Sequence, residues 1–226
     1  MLEAINTSLF SPIGDDGMIG ILLILNGLKV TLIVTFFAML LGAVLGVGTT
    51  LMKMSSKWYI RFPAELYVGI IRGTPVVVQL VILYFIVLAA FDVDKITAAI
   101  IAFGLNSGAY ISEIIRAGIQ AVDKGQTEAA RSLGLSQAMT MKLIILPQAI
   151  KNILPALGNE FIVLLKETAV IGFIGGVDLM RAGEIIRSRT FEDSIPLFTC
   201  ALIYLFLTYS FTFMLSKFEK RLKQSD

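Results

Sequence analysis

Long apolar runs alternate with short polar segments along the 226 residues of the chain. Five of the runs reach the length of about 20 apolar residues that a helix needs to cross a hydrocarbon core of about 30 Å. The pattern therefore predicts an all-α integral membrane protein with five transmembrane helices, in which residues 1–226 form a single domain. The predicted spans are residues 27–52, 62–91, 95–117, 153–175 and 196–216.

Two places interrupt this simple pattern. Residues 17–26 are also apolar, and joined to the first span they would make a run far too long for one crossing. The asparagine and glycine of NGLK at 26–29 are typical of a break between two helices. We therefore expect residues 17–26 to form a separate helix lying on the membrane surface. The letters RGTP at 72–75 predict a break inside the second span, because Pro75 cannot donate a hydrogen bond to the helix.

Charged residues give the chain a direction in the membrane. Lys and Arg are frequent after the first and third spans and in the C-terminal tail, whereas residues 1–17 contain neither and residues 92–94 contribute two acids. Basic loops are retained in the cytoplasm. We therefore expect the N-terminus outside, and the C-terminus and the loop at 120–150 in the cytoplasm.

Composition excludes several classes of function. The chain is 56% hydrophobic, and its net charge of +2 gives no reason to expect nucleic acid as a partner. It contains no histidine, the commonest general base and metal ligand, so we predict no catalytic residues and no metal site. A membrane enzyme is therefore disfavoured.

The loop at 120–150 has the signals of two short helices. Thr127 can cap the first helix, and Gly134 supplies its left-handed stop. Ser136 can cap a second helix that ends at Pro147. Because a two-turn helix is unstable alone, the first one must pack either on the spans of its own chain or on another protein.

Residues 128–147, EAARSLGLSQAMTMKLIILP, match the EAA motif of ATP-binding-cassette (ABC) importer permeases. Three further stretches resemble the polar amino acid uptake branch of that family, which includes histidine, glutamine and arginine permeases. They are NGLKVTL at 26–32, RGTPVVVQL at 72–80 and PALGNEFIVLLKETAV at 155–170. The resemblance extends from about residue 19 to the C-terminus.

This resemblance implies a type I ABC importer permease fold in a prokaryotic cell (inner) membrane, with lipid around its spans. The loop at 127–147 would be a coupling helix that docks on a separate ATPase. The implied contacts are Glu128, Ala129, Ala130, Arg131 and Gly134. The implied partners are two copies of the ATPase, a second permease copy in a homodimer or a close paralogue, and an extracellular or periplasmic substrate-binding protein.

The chain lacks the GxxxxGK[ST] loop that holds nucleotide phosphates. We therefore expect no cofactor in this chain, and ATP and Mg²⁺ on the partner ATPase. The alternative is an ion-coupled amino acid carrier without an ATPase partner, which would have no use for the coupling loop.

Polar residues at membrane depth are costly and usually face a cavity or another helix. In the fourth span, Asn159 and Glu160 are candidates to line the pathway, with Glu160 holding a substrate ammonium group. The alternative is an ion-pair network in which Lys166 answers one of the acids.

The break in the second span offers a complementary anchor. A half-helix beginning near Thr74 would aim its positive end at a substrate carboxylate, assisted by Arg72. The alternative is a proline kink with Arg72 paired to Glu113 or Glu160, and we also expect Glu113 to pair with Arg116. Further candidates for the pathway are Gln79 and Asn106. An anchor for each charge describes a zwitterion, and the surplus of acids favours a basic amino acid.

Overall fold

The structure, a computed structural model, describes residues 2–13 and 17–223. These residues are almost entirely helical. Their α-helices are α1 (Leu2–Ile5), α2 (Gly20–Lys53), α3 (Trp58–Arg72), α4 (Val76–Ile82), α5 (Lys95–Gln120), α6 (Lys124–Ser132), α7 (Gln137–Thr140), α8 (Leu146–Glu167), α9 (Leu179–Thr190) and α10 (Ser194–Lys223). Wider π-type turns follow α1, α4 and α7, and a 3₁₀ segment, Thr168–Ile174, follows α8.

Three of the described helices, α2, α5 and α10, are long and apolar enough to cross a membrane. The helix pair α3 and α4 adds a fourth crossing if the two are taken as one bent span. The span at 153–175 coincides with α8 and the 3₁₀ segment, but α8 is more polar because it carries Lys151, Asn159, Glu160, Lys166 and Glu167. The all-α prediction is confirmed, and five crossings remain a prediction.

Helix α2 is one unbroken helix of 34 residues, about 51 Å long at 1.5 Å per residue. The prediction of a separate surface helix at 17–26 is therefore wrong. Gly27 is not a joint but a point of close approach, since a Cβ there would lie 3.0 Å from the Cβ of Ala182 on α9. The sequence signal was a packing glycine rather than a helix stop.

Helices α2 and α5 lie against each other at the centre of the molecule. Small residues permit this approach: a Cβ added at Gly42 would lie 3.0 Å from the Cβ of Ser107, and one at Gly46 would lie 2.6 Å from Cγ2 of Ile111. The main core forms around this pair, and its buried members are Val34, Ala38, Leu80, Ala99, Ala102, Phe103, Leu164, Ile171 and Ile174.

The predicted break in the second span is confirmed. Helix α3 ends at Arg72, α4 begins at Val76 directly after Pro75, and the chain bends by 108° between them. We call this bend the elbow. The next helix, α5, begins after Asp94, whose carboxylate accepts hydrogen bonds from the backbone N–H groups of Ile96 and Thr97. Hydrogen bonds from the hydroxyl and backbone of Thr97 lower the pKa of Asp94.

The prediction that the second loop helix stops at Pro147 is wrong. The chain is helical from Gln137 to Glu167, and a π-type turn, Met141–Ile145, precedes the proline. Pro147 is the second residue of α8 and lies just after this π-type turn. The helical run therefore continues through the proline instead of ending at it.

Helix α5 defines two ends of the molecule, about 39 Å apart for 26 residues. At its first residue, Lys95 Nζ donates to the carbonyl of Gly175, beside α9. At the other end, α5 leads through residues 121–123 into α6, and Glu113 forms an ion pair with Lys53 at the end of α2. We call these the α9 end and the α6 end.

Candidate coupling surface and translocation site

Helix α6 is the core of the predicted coupling loop. It begins four residues earlier than expected, because Asp123 rather than Thr127 caps it by accepting from the backbone N–H of Gly125. Gly134 ends it with a φ of +86°, as predicted. Ser136 caps α7 by accepting from the N–H of Met139 at 3.2 Å, also as predicted.

Most of α6 is uncovered by its own chain. Of the five predicted coupling residues, Glu128, Ala129, Arg131 and Gly134 are exposed, and only Ala130 is buried. Ala130 therefore anchors the helix to its own chain. The other four residues are free to meet a partner, although Arg131 also donates to the carbonyl of Leu135 at 2.6 Å.

Leu133 is the most exposed large apolar residue of this loop, with 84% of its surface accessible. It lies between the end of α6 and Gly134, and Met139 and Leu143 of the same loop are 47 and 55% exposed. A leucine this exposed is a suitable anchor for a protein–protein contact, because burying it on a partner removes apolar area from water. Sequence reasoning did not single this residue out, although an apolar residue next to the helix stop was visible.

Three of the six candidate substrate residues come together at the elbow. The Gln79 side-chain amide donates to the carbonyls of Ile71 and Thr74 at 2.7 and 3.0 Å, and to the Thr74 hydroxyl at 2.9 Å. Its carbonyl accepts from the amide of Asn106 on α5 at 2.9 Å. These hydrogen bonds fix the elbow against α5. Most of the hydrogen-bonding groups of these side chains are therefore already paired within the chain.

A cavity of about 260 Å³ lies inside the elbow. Thr74 and Gln79 supply the only polar side chains of its lining, which is otherwise apolar. The lining residues are Ile70, Ile71, Thr74, Val78, Gln79, Ile82, Leu83, Val87, Ala102 and Leu105. This arrangement can hold the apolar part of a small molecule next to a few fixed polar groups.

Glu160 is the buried acid of α8. Its carboxylate accepts a hydrogen bond of 2.9 Å from the hydroxyl of Ser107, the residue after Asn106 on α5. Ser107 was not predicted from the sequence, since a serine among small residues in a span is typical of helix packing. Within residues 2–13 and 17–223, Lys166 forms no ion pair with an acid, so the expected ion-pair network of the fourth span does not form there.

Arg72 is paired with Glu113, one of its two expected acids. The guanidinium lies 3.6 Å from the Glu113 carboxylate and 5.3 Å from the ring centre of Tyr110. Glu113 also pairs with Arg116 at 2.6 Å, as predicted, and with Lys53, which was not predicted. We call these four charged residues the Glu113 cluster, in which three cations share one acid.

The remaining candidate, Asn159, is exposed on α8. The structure thus arranges the candidates in levels along α5: the elbow at Asn106, the buried acid beside Ser107, and the Glu113 cluster nearer the α6 end. Arg72 and Glu160 make no direct contact in the described part of the chain, so the expected alternative of an Arg72–Glu160 pair does not form there.

Comparison with known proteins agrees with this geometry. Residues 38–224 match the family described as binding-protein-dependent transport system inner membrane component. The arginine transport system permease protein ArtQ of Bacillus subtilis (strain 168) is 43% identical over 205 residues, covering 90% of this chain and 94% of that protein. The glutamine transport system permease protein GlnP of Escherichia coli (strain K12) is 35% identical over 204 residues, covering 89% and 93%.

Solved structures show the same fold. The crystal structure of an amino acid ABC transporter with histidines superposes with a TM-score of 0.85 at 50% identity, covering 88% of this chain and 94% of that one. An inward-facing methionine ABC transporter, MetNI, superposes with a TM-score of 0.75 at 20% identity, covering 88% and 96%, and supports the fold alone. The chain is a transporter subunit with the type I ABC importer permease fold, and it belongs to the family of binding-protein-dependent transport system inner membrane components.

Proposed function

We propose that this chain is the permease subunit of an ATP-driven importer of a polar amino acid, with a basic one favoured. ATP hydrolysis on a separate subunit drives it through the loop at 127–147, and the pathway forms with a second copy or a close paralogue. The observation that carries the proposal is α6: a short capped helix held by one buried alanine, with Leu133 and four motif residues exposed beside it.

The substrate class rests on the relatives and on the buried acid. Relatives named for arginine and glutamine transport share about two-fifths of their residues with this chain. Glu160 is a buried carboxylate with no cationic partner in the described residues, and such a group attracts a substrate ammonium or guanidinium. The Glu113 cluster, with its excess of cations, complements the substrate carboxylate nearer the α6 end.

The coupling surface can be tested with one exposed leucine. We expect Leu133→Ser to reduce the amount of co-purifying ATPase at least tenfold, about 1.4 kcal/mol, because the variant removes an apolar anchor without disturbing the core. The measurement is affinity purification of the tagged chain from its host in mild detergent, followed by intact-mass analysis and ATPase assay.

Phe191→Ser is the matched control. Phe191 is 91% exposed and follows α9, near the other end of the molecule, so this variant loses an exposed apolar side chain while keeping the coupling loop intact. We expect it to retain the ATPase. Equal ATPase recovery with both variants would refute the role of Leu133. A wild-type chain that binds amino acids with no ATPase attached would identify an ion-coupled carrier.

A further inference from the structure

The first turn of α3 displays three aromatic side chains away from the protein. Trp58, Tyr59 and Phe62 are 69, 56 and 55% exposed. The ring of Trp58 lies 6.5 Å from each of the other two rings, in edge-to-face arrangements. Aromatic side chains contribute large buried areas to a contact. A cluster of three that the rest of the chain leaves exposed therefore indicates a surface that binds an apolar partner.

The first turns of α3 have little cover from the rest of the described chain. Ala64 is the first buried residue of the helix, and Val68, one turn later, is the next. Of the six residues before Ala64, Ile60 is half-buried and the other five are exposed. The aromatic side chains are therefore accessible to a partner outside the chain.

Two cations lie beside the rings. Lys57 precedes the helix, with its Nζ 6.0 Å from the ring centre of Tyr59, and forms no ion pair with any described acid. Arg61, one turn further on, lies 3.3 Å from Glu65, but both side chains are about half exposed, so the pair is weak and Arg61 keeps donors for another anion. We call Lys57, Trp58, Tyr59, Arg61 and Phe62 the aromatic-basic patch.

We propose that the aromatic-basic patch binds the headgroup of an anionic phospholipid in the cytoplasmic leaflet. Tryptophan and tyrosine favour the boundary between headgroups and acyl chains, and lysine and arginine extend from that depth to the phosphates. Each basic residue near an anionic membrane surface adds to the attraction for that surface. The patch combines both requirements within two turns of one helix.

The aromatic-basic patch lies at the α6 end of the molecule, and this position relates it to one leaflet of the membrane. Helix α3 follows the end of α2, where Lys53 pairs with Glu113 at the α6 end of the molecule. The choice of the cytoplasmic leaflet rests on the proposed function, because that is the side on which α6 meets an ATPase. A second copy of the chain is a poorer occupant, since two basic patches would face each other.

Trp58 is the one tryptophan of the sequence and therefore reports on the patch directly. The full-length chain, reconstituted in vesicles, would be exposed to a minor fraction of brominated phosphatidylglycerol or, in a second sample, brominated phosphatidylcholine. Subtracting the emission of Trp58→Phe removes any background. We expect quenching of Trp58 to be at least about twofold stronger with the anionic lipid.

The double variant Lys57→Gln with Arg61→Gln should abolish this preference while leaving quenching by phosphatidylcholine unchanged. Lys217→Gln with Arg221→Gln, which removes the same charge from α10, is the matched control and should retain it. Equal quenching by both lipids in the wild-type chain would show ordinary lipid contact without headgroup recognition and overturn the proposal.

Absence of quenching by either lipid would show that a protein or water covers the patch, which also overturns the proposal. A preference that survives the loss of Lys57 and Arg61 would do the same. The readout involves no ATP and no transport, so these outcomes are independent of whether the coupling surface binds an ATPase.

Discussion

Glu160 is the residue on which the proposed substrate site depends most. Its carboxyl group lies inside the bundle, and in the described chain it receives a single hydrogen bond, from Ser107. A buried carboxylate that is not fully paired is unfavourable for folding, so such groups in membrane proteins usually mark a pathway. Its other oxygen has no hydrogen-bond donor among the described residues, which is why we propose it as the contact for a substrate cation.

We expect Glu160→Gln to lower amino acid uptake at least tenfold, about 1.4 kcal/mol, while the protein remains folded. The amide oxygen can still accept from Ser107, but the charge that attracts a cation is gone. Uptake by proteoliposomes containing the whole transporter and thermal unfolding in detergent are the two measurements.

Ser107→Ala provides the comparison at the same site. This variant keeps the acid but removes its hydrogen bond, so we expect it to lower the free energy of unfolding by about 1.5–3 kcal/mol. Relative to that loss of stability, its effect on uptake should be smaller than the effect of Glu160→Gln. Wild-type uptake by Glu160→Gln would exclude the acid from the pathway.

The sequence predicted individual residues well where their role is local. Gly134 and Ser136 act on their own backbone, so their helix stop and helix cap could be inferred from residue type and neighbours. Thr127 did not become a cap because Asp123, four residues earlier, offered a stronger acceptor. The bonds joining Gln79 to Asn106 and Ser107 to Glu160 cross between helices, and no local pattern contains that information.

At the scale of elements, the contact between α2 and α5 depends on positions that have no side chain. Gly46 of α2 faces Ile111 of α5, whereas Gly48, two residues further on, has no heavy atom within 4 Å of the position that a Cβ would occupy. The two glycines share a helix and a sequence neighbourhood but face different surroundings.

The same substitution should therefore have opposite effects at these two glycines. We expect Gly46→Ala to lower the free energy of unfolding by about 1–3 kcal/mol, because its Cβ would overlap Ile111. Gly48→Ala should raise it by about 0.5–1 kcal/mol, because alanine favours the helix and meets nothing. Equilibrium unfolding in mixed detergent micelles measures both, and similar effects of the two variants would contradict this packing.

Glycine and proline explain where element boundaries were predicted wrongly. Gly27 was predicted to be a joint and is a packing residue of α2, and Pro147 was predicted to end a helix but lies inside a continuous helical run. Pro75, in contrast, does break its helix. The residue type limits the conformations that the backbone can adopt. Packing against a neighbouring helix then selects one of them.

For the whole molecule, the Glu113 cluster ties three helices together at one place. Lys53 comes from the end of α2, Arg72 from the end of α3, and Arg116 from α5, and all three share the carboxylate of Glu113. Removing the acid leaves three cations close together with no counter-charge. Glu65, by comparison, belongs to a single exposed pair with Arg61 on α3.

We expect Glu113→Gln to lower the stability of the folded chain by about 2 kcal/mol or more, since it breaks a partly buried network. Glu65→Gln, which also neutralises one acid, should cost less than about 1 kcal/mol. Thermal unfolding of the two variants side by side tests the difference. Equal stability losses would mean that the cluster has no special role in joining the helices.

The overall architecture followed from the sequence more closely than the site did. Hydrophobic run length predicts helices that fit a bilayer, and the break at Pro75 is a property of one residue. Two of the three ion pairs of the Glu113 cluster were expected from the sequence, those with Arg116 and Arg72, whereas the pair with Lys53, 60 residues away, was not. Which helix lies beside which is decided by the folded chain as a whole.

The unbroken course of α2 has a mechanical consequence. Ahead of Gly27, the buried Ile24 packs in a cluster with Leu179 and Ala182 of α9, and at the other end of α2 Lys53 joins the Glu113 cluster. A joint at Gly27 would have let these two attachments move independently. Because there is no joint, α2 moves as one rigid rod. A tilt of the helix at one face of the membrane therefore also moves its attachment at the other face.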